Sequence, residues 1–211
     1  MRWSGITAIL NTILPRHARA ERAVRVREAE LQARFAPQIH PKYTWIHTLF
    51  PYRDELVRAL IQAVKYYGEK ELVARLAPYA ADYCTDLIHD STRLQGWEQV
   101  RIAPIPSSRS RFRERGYNQA ALFARAIAAR VPDATYTETL LTRLDRVSQV
   151  HVPRTKRAQN MDGVFTASHH AAGACVILID DVVESGATLA DARRALLDEG
   201  AKDVIAVAIA H

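Results

Sequence analysis

The chain is poor in cysteine: Cys84 and Cys175 stand far apart among 211 residues, and no CxxC pair occurs. That does not suggest a disulfide framework and argues against a thiolate zinc site, so no zinc is expected and a reducing cytoplasm is the expected compartment. The eight histidines show neither HxxxH nor HExxH spacing, which leaves no histidine metal motif. GxxxxGKS/T and GxGxxG are both absent, removing two common nucleotide-binding loops. No internal repeat or low-complexity tract stands out, and no transmembrane segment is expected. The N-terminal stretch places Trp3, Ile6, Ile9, Leu10, Ile13 and Leu14 at helical spacing, but it is too short and too polar to span a bilayer. It also lacks the compact apolar core and small-residue cleavage site of a signal peptide. It reads as a helix docking on its own domain or on a partner chain rather than on a membrane surface.

What is present is positive charge. Twenty-nine lysines and arginines against 23 acidic residues leave a formal net charge of +6. This suits a phosphate-rich partner, whether a nucleotide, a sugar phosphate or a nucleic acid, although a merely basic soluble protein would carry the same charge. The length suits one α/β domain with an extra helical segment, or at most two small domains.

Residues 15–50, broken by prolines and rich in charge, read as a linker with one charged helix around 18–35. We therefore divide the chain into a 1–50 helical and linker extension and a 51–211 domain. From Tyr52 the pattern sharpens: Leu56, Leu60 and Val64 form a helical stripe flanked by Val57 and Ile61, with Asp54 as N-cap and Gly68 as stop. A second helical region covers 69–90, interrupted or restarted at Pro78. Strands are expected at 99–103, near 135–141, near 163–167, at 175–180 and at 203–210, with helices at 118–130 and 188–199. The runs 176–179 and 204–209 are apolar without alternation, as strands buried on both faces are, which predicts an α/β fold with a mainly parallel sheet between helices.

One stretch carries the chemistry. In "VILIDDVVESGATL", residues 176–189, a buried strand runs into Asp180 and Asp181, and then Glu184, Ser185, Gly186, Ala187 and Thr188 open a helix. Ligands of an open parallel sheet bind beyond the carboxyl ends of its strands. A helix start offers unpaired N–H groups to an anion, Gly186 permits close approach, and Ser185 and Thr188 add hydroxyls. The carboxylates can accept from vicinal sugar hydroxyls or hold hydrated Mg²⁺. A strand followed by aspartate caps and a tight turn would share part of this pattern, but the whole run suits a sugar bearing a 5′-phosphate.

The run resembles the phosphoribosyl-pyrophosphate (PRPP) signature of type I phosphoribosyltransferases. "APIPSSRSRFRERGYNQAALFARAIA", "LLTRLDRVSQVHVPRTKRAQNMDGVF" and "YRDELVRALIQAVKYYGEKELV" are similar to three blocks of the ComF-like subfamily, in the same order, over roughly 48–211. The resemblance implies a type I phosphoribosyltransferase fold that binds Mg²⁺–PRPP. Asp180 and Asp181 would face the ribose hydroxyls with the metal close by, and Ser185 to Thr188 would hold the 5′-phosphate. Ser107, Ser108 and Arg109 would lie against the pyrophosphate. A mobile basic stretch from 143 to 160 would supply Arg143, Gln149, Arg157 and Asn160, while Arg115 would act on the leaving group. By analogy with purine-salvage relatives, Glu184 would exchange a proton with an acceptor base. Its other reading is a surface carboxylate at a helix start, favoured by the helix dipole.

The chain departs from the subfamily at its N-terminus, where "ILPRHARAERAVRVRE" stands in place of the first cysteine pair of a zinc module. The last strand runs to His211, so the cover over an acceptor is expected from the helices at 52–90. The expected activity is phosphoribosyl transfer to a nitrogenous acceptor, and the alternatives are a PRPP-sensing module in DNA uptake or a basic DNA-binding accessory protein. The expected partners are PRPP and an acceptor, a protein of the DNA-uptake machinery, a weak nucleic-acid contact and a second copy of the chain.

Overall fold

The structure, a computed structural model, describes residues 26–68, 70–144 and 163–211. Over these the chain forms α1 (Glu28–Gln32), β1 (Gln38–Ile39), β2 (Ile46–Phe50), α2 (Glu55–Tyr67), α3 (Lys70–Gln95) and β3 (Val100–Pro104). It continues through α4 (Arg109–Arg115), α5 (Gln119–Ala128), β4 (Ala134–Tyr136), β5 (Leu141–Arg143) and β6 (Phe165–Ala167). It ends with β7 (Cys175–Val182), α6 (Ala187–Asp198) and β8 (Asp203–Ala210). The main sheet has the order β1-β2-β8-β7-β3-β4 and is parallel except where β1 meets β2. β5 and β6 form a separate antiparallel ribbon.

The non-alternating runs sit at the sheet centre because both of their faces are covered. Cys175, Ile177 and Ile179 of β7 join Val207 and Ile209 of β8 in one core, with the apolar faces of α2, α3 and α5. Val176 and Leu178 join Ala206 and Ala208 in the other core, under Leu189, Ala192 and Leu196 of α6 and beside the ribbon residues Leu141 and Phe165. The expected α/β architecture is therefore observed, with β7 and β8 delivering their carboxyl ends side by side. One buried polar residue, His47 on β2, shares a 2.8 Å hydrogen bond with the hydroxyl of partly buried Tyr83 on α3.

Four local expectations are corrected. The stretch 38–50, read as linker, contains β1 and β2, and β2 is hydrogen-bonded along β8. Its five residues are all buried, so they show no alternation, and five residues are too few to declare a strand amid prolines. Pro78 does not interrupt α3, because Leu72, Val73, Leu76 and Ala77 before it and Tyr79, Ala80, Ala81 and Cys84 after it form one buried face that holds both halves to the core. The expected strand at 135–141 breaks into β4, a turn of 3₁₀ helix at Glu138–Leu140, and β5. The Thr137 amide still donates to the Ile102 carbonyl, and the turn then carries the chain off the sheet. β6 accordingly pairs with β5 and not with the main sheet. Finally, residues 109–115 form a helix where none was expected. None of its residues is buried, so no apolar stripe announces it. The part of the charged helix expected at 18–25 lies outside the described residues.

Candidate functional site

β7 stays in register with β3 up to Pro104, and the Ile105 amide then donates to the Ile179 carbonyl at 2.9 Å. On its other side the Val183 amide donates to the Ala210 carbonyl at 3.0 Å. Asp180 and Asp181 are thus held at the strand end between two backbone neighbours. The chain then turns through Gly186, which has φ of 73° and serves as the N-cap of α6 without any side-chain cap. The helix-start donors are left for a ligand, apart from the Ala187 amide, which makes a long 3.4 Å contact with Ser185 Oγ.

These residues line a cavity of about 290 Å³. Its walls bring together the expected Asp180, Asp181, Glu184, Ser185, Gly186, Ala187, Thr188, Ser107, Arg115 and Arg143. Ser108 and Arg109 are not on the wall. Ser108 caps α4, its hydroxyl accepting from the Arg111 amide at 3.3 Å, and Arg109 begins that helix on the exposed side. Gln149, Arg157 and Asn160 lie outside the described residues.

The two carboxylates are arranged differently from free surface acids. Asp180 Oδ1 accepts from the Asp181 amide and Asp181 Oδ1 from the Val182 amide, each at 2.9 Å. Burial and the adjacent Asp181 push the Asp180 carboxyl well above the usual range, while Arg111 acts in the opposite direction. A cation at this point would relieve the repulsion. Glu184 and Ser185 are exposed at the rim.

Beyond the expected residues, the wall also carries Lys65, Arg111, Asn118 and Gln119. Lys65 arrives from the C-terminal turn of α2 and Arg111 from α4. The signal for the last two is present in the block "RGYNQ", of which Arg115 alone is an expected site residue. Three consecutive residues of that block tie the site together. The Tyr117 hydroxyl donates to the Val64 carbonyl at 2.8 Å, and Asn118 Nδ2 donates to the Ile105 carbonyl at 2.9 Å. Buried Gln119 accepts from Arg115 Nη1 at 2.9 Å and donates to the Lys65 carbonyl at 3.4 Å. Arg115 lies 5.6 Å from the Tyr66 ring, and its Nε is buried without a hydrogen-bond partner. The cavity therefore gathers Lys65, Arg111 and Arg115 with an acidic strand end and a helix start. That arrangement suits a ligand bearing a diol and more than one phosphate.

Residues 118–211 match the family described as the phosphoribosyl transferase domain. The competence protein ComFC of Bacillus subtilis (strain 168) is 28% identical over 153 residues, 72% of this chain and 58% of that protein. The DNA utilization protein YhgH of Salmonella typhimurium is 28% identical over 145 residues, 69% of this chain and 63% of that protein. The chain is thus similar to ComFC and YhgH over about 70% of its length, and its C-terminal part is similar to the phosphoribosyl transferase domain. The chain spans about three fifths of the length of these two relatives. Solved structures similar to this chain include a hypoxanthine phosphoribosyltransferase from Staphylococcus aureus, with a TM-score of 0.41 and 13% identity over 66% of this chain and 62% of that one. A glutamine phosphoribosylpyrophosphate amidotransferase from B. subtilis has a TM-score of 0.34 and 19% identity over 58% of this chain and 25% of that one. Among the described residues, no helix is long and apolar enough to cross a membrane.

Proposed function

We propose that the cavity binds PRPP with Mg²⁺ and that the chain transfers its phosphoribosyl group to a nitrogenous acceptor, releasing pyrophosphate. The observation that carries this reading is the uncapped start of α6 beside the Asp180–Asp181 pair, with Lys65, Arg111 and Arg115 on the same cavity wall. The 5′-phosphate takes the N–H groups and hydroxyls at 185–188, and the carboxylates accept from the ribose hydroxyls. In the reaction the bond from ribose C1 to the pyrophosphate oxygen breaks, and its electron pair leaves with the pyrophosphate. A bond from the acceptor nitrogen to C1 forms, and the nitrogen gives up a proton. Arginines on the wall stabilise the charge that grows on the leaving group.

Two carboxylates fit a metal ion only as part of its shell, and no set of three candidate ligand side chains occurs among the described residues. Asp180 and Asp181 would therefore share the ion with oxygens of the ligand and water, and when bound it supplies further neutralisation of the diphosphate. Glu184, exposed at the rim, takes the acceptor's proton in this reading; its other role is a carboxylate favoured by the start of α6.

Titration calorimetry with PRPP, with and without Mg²⁺, tests the site, and a pyrophosphate-release screen over bases and amines tests the transfer. The variant Asp181→Asn with Gly186→Val should lose Mg²⁺-dependent PRPP binding. Unchanged affinity in that variant would overturn the assignment.

A second reading, a nucleic-acid-binding or PRPP-sensing accessory in DNA uptake, is favoured by α4. Its outer surface carries Arg109 and Arg113 with Phe112 exposed between them, a cationic and aromatic pattern suited to single strands. PRPP binding without turnover, or steeply salt-dependent DNA affinity indifferent to Asp180→Asn, would favour it.

A further inference from the structure

Asp191 lies just over one turn into α6, the helix whose start forms the phosphate cradle, and its side chain is only 5% exposed. The carboxylate does not face the cavity ligand. It reaches across to the root of the β5–β6 ribbon, where Oδ2 accepts from the Val164 amide at 2.8 Å and Oδ1 from the Gly163 amide at 3.2 Å. Oδ1 also accepts from Arg194 Nη2 at 2.6 Å, on the same helix. The ribbon continues from this anchor. The Val164 carbonyl accepts from the Leu144 amide at 2.8 Å, and Arg143 stands opposite Phe165 with its guanidinium 5.3 Å from that ring. Arg143 lines the cavity. An unbroken set of contacts thus runs from the phosphate helix through one buried carboxylate to a cavity arginine on a separate sheet.

Two consecutive backbone N–H groups on one buried carboxylate define a position more tightly than an apolar contact does, because both the acceptor direction and the charge must be matched. Leu141 and Phe165 also pack in one core with Leu189 and Ala192 of α6, but those apolar contacts hold the ribbon near the helix without fixing a direction. The ribbon is two short strands that do not join the main sheet.

We propose that Asp191 is a positioning residue: it sets the β5–β6 ribbon against α6 and thereby fixes where Arg143 stands relative to the 5′-phosphate cradle, so that one ligand's diphosphate and 5′-phosphate are gripped together. This rests on the PRPP reading above. Asp191 touches no reacting atom. Its role is in spacing, and the ligand class it serves is a phosphoribosyl compound bearing a diphosphate at C1.

The test compares two probes by calorimetry, PRPP with Mg²⁺ and ribose 5-phosphate, which lacks the diphosphate. Asp191→Asn replaces an acceptor oxygen with an N–H₂ group that cannot receive both amides. It should weaken PRPP binding by about tenfold or more, equivalent to about 1.4 kcal/mol, and leave ribose 5-phosphate within about twofold. Arg143→Ala should show the same selectivity, and the double variant should bind PRPP no more weakly than Arg143→Ala alone. Arg194→Ala, which leaves both ribbon amides on the Asp191 carboxylate, should leave both affinities within about twofold. If Asp191→Asn does not fold, Asp191→Glu carries the same test, because it keeps the charge and displaces the oxygens by one methylene. The proposal is overturned if PRPP affinity is unchanged, if both probes weaken together, or if the losses from Asp191 and Arg143 add. Failure of the unmodified protein to bind either probe would instead sink the PRPP reading, and this inference with it.

Discussion

The ring of Tyr43 lies so close against Gly186 that a Cβ on the glycine would fall 2.7 Å from Tyr43 Cδ2 and 3.0 Å from Ile46 Cδ1. The hairpin that leads into β2 therefore supports the back of the turn that opens α6. Two separate physical demands meet at position 186, a left-handed φ and the absence of a side chain.

They can be separated by mutation. Gly186→Ala should destabilise the fold by about 1–2 kcal/mol for the backbone conformation, with a further cost from overlap with Tyr43. In a Tyr43→Ala background the overlap with Tyr43 is gone and the backbone cost remains, so the same substitution should cost less. Urea unfolding of the four proteins reads this directly. Equal costs in both backgrounds would show that the contact with Tyr43 imposes nothing.

Asp180 should be a residue that costs stability. Its carboxyl is raised by burial and by Asp181, so in the folded state it resists ionisation that the unfolded chain permits. A raised acid contributes stability below its unfolded pKa, and that contribution is lost as pH rises through the folded pKa. Asp180→Asn should therefore raise Tm at neutral pH, by roughly 2–4 °C for each kcal/mol recovered, with the gain shrinking towards acid pH. The same variant should bind PRPP more weakly. Thermal melts across pH, paired with calorimetry, check both halves, and a lower Tm at neutral pH would contradict the argument.

Asp54 tests a local feature that the sequence displays openly. Its Oδ1 accepts from the amides of Leu56 at 2.9 Å and Val57 at 3.1 Å, and its Oδ2 meets Arg34 Nε at 3.0 Å. Burial alone would raise its carboxyl, yet the Val57 amide, Arg34 and the Leu56 amide together hold it below the usual range. Asp54→Ala should cost about 0.5–2 kcal/mol, the range for loss of an N-cap. Asp54→Asn should recover most of that, because the partly exposed pair with Arg34 contributes little. Chemical denaturation of the two variants distinguishes cap from ion pair; equal losses would assign the stability to the charge.

The features legible in advance share a cause: their signal is local. Asp54 and Gly68 bracket α2 by capping chemistry, and Gly68 does adopt φ of 63° at its end. β7 and β8 declare themselves because burial on both faces removes alternation over the apolar runs 176–179 and 204–209. The phosphate loop is continuous in sequence, so Asp180 to Thr188 could be named together. What was not legible depends on contacts distant in sequence. Lys65 and Arg111 belong to the site only because Gln119 and Tyr117 fasten the end of α2 beside the loop that Asn118 holds. β2 was hidden because its partner β8 lies at the other end of the chain. Asp191 looks like an ordinary helix acid until the ribbon is placed beside it.

His47 supplies a pH dependence away from the site. It is 8% exposed on β2, its hydrogen bond to Tyr83 occupies one ring nitrogen, and burial lowers its pKa. A depressed histidine contributes stability that is present above its unfolded pKa and lost as pH falls through the folded value, because only the unfolded chain accepts the proton readily. The native protein should therefore lose stability on acidification below the ordinary histidine range. His47→Gln keeps a polar group for Tyr83 but cannot titrate, so it should start less stable at neutral pH and lose less on acidification. The Tm difference between the two proteins should narrow from about pH 7.5 to about pH 5. A difference that stays constant over that interval would assign the acid sensitivity to other groups and leave His47 with packing alone.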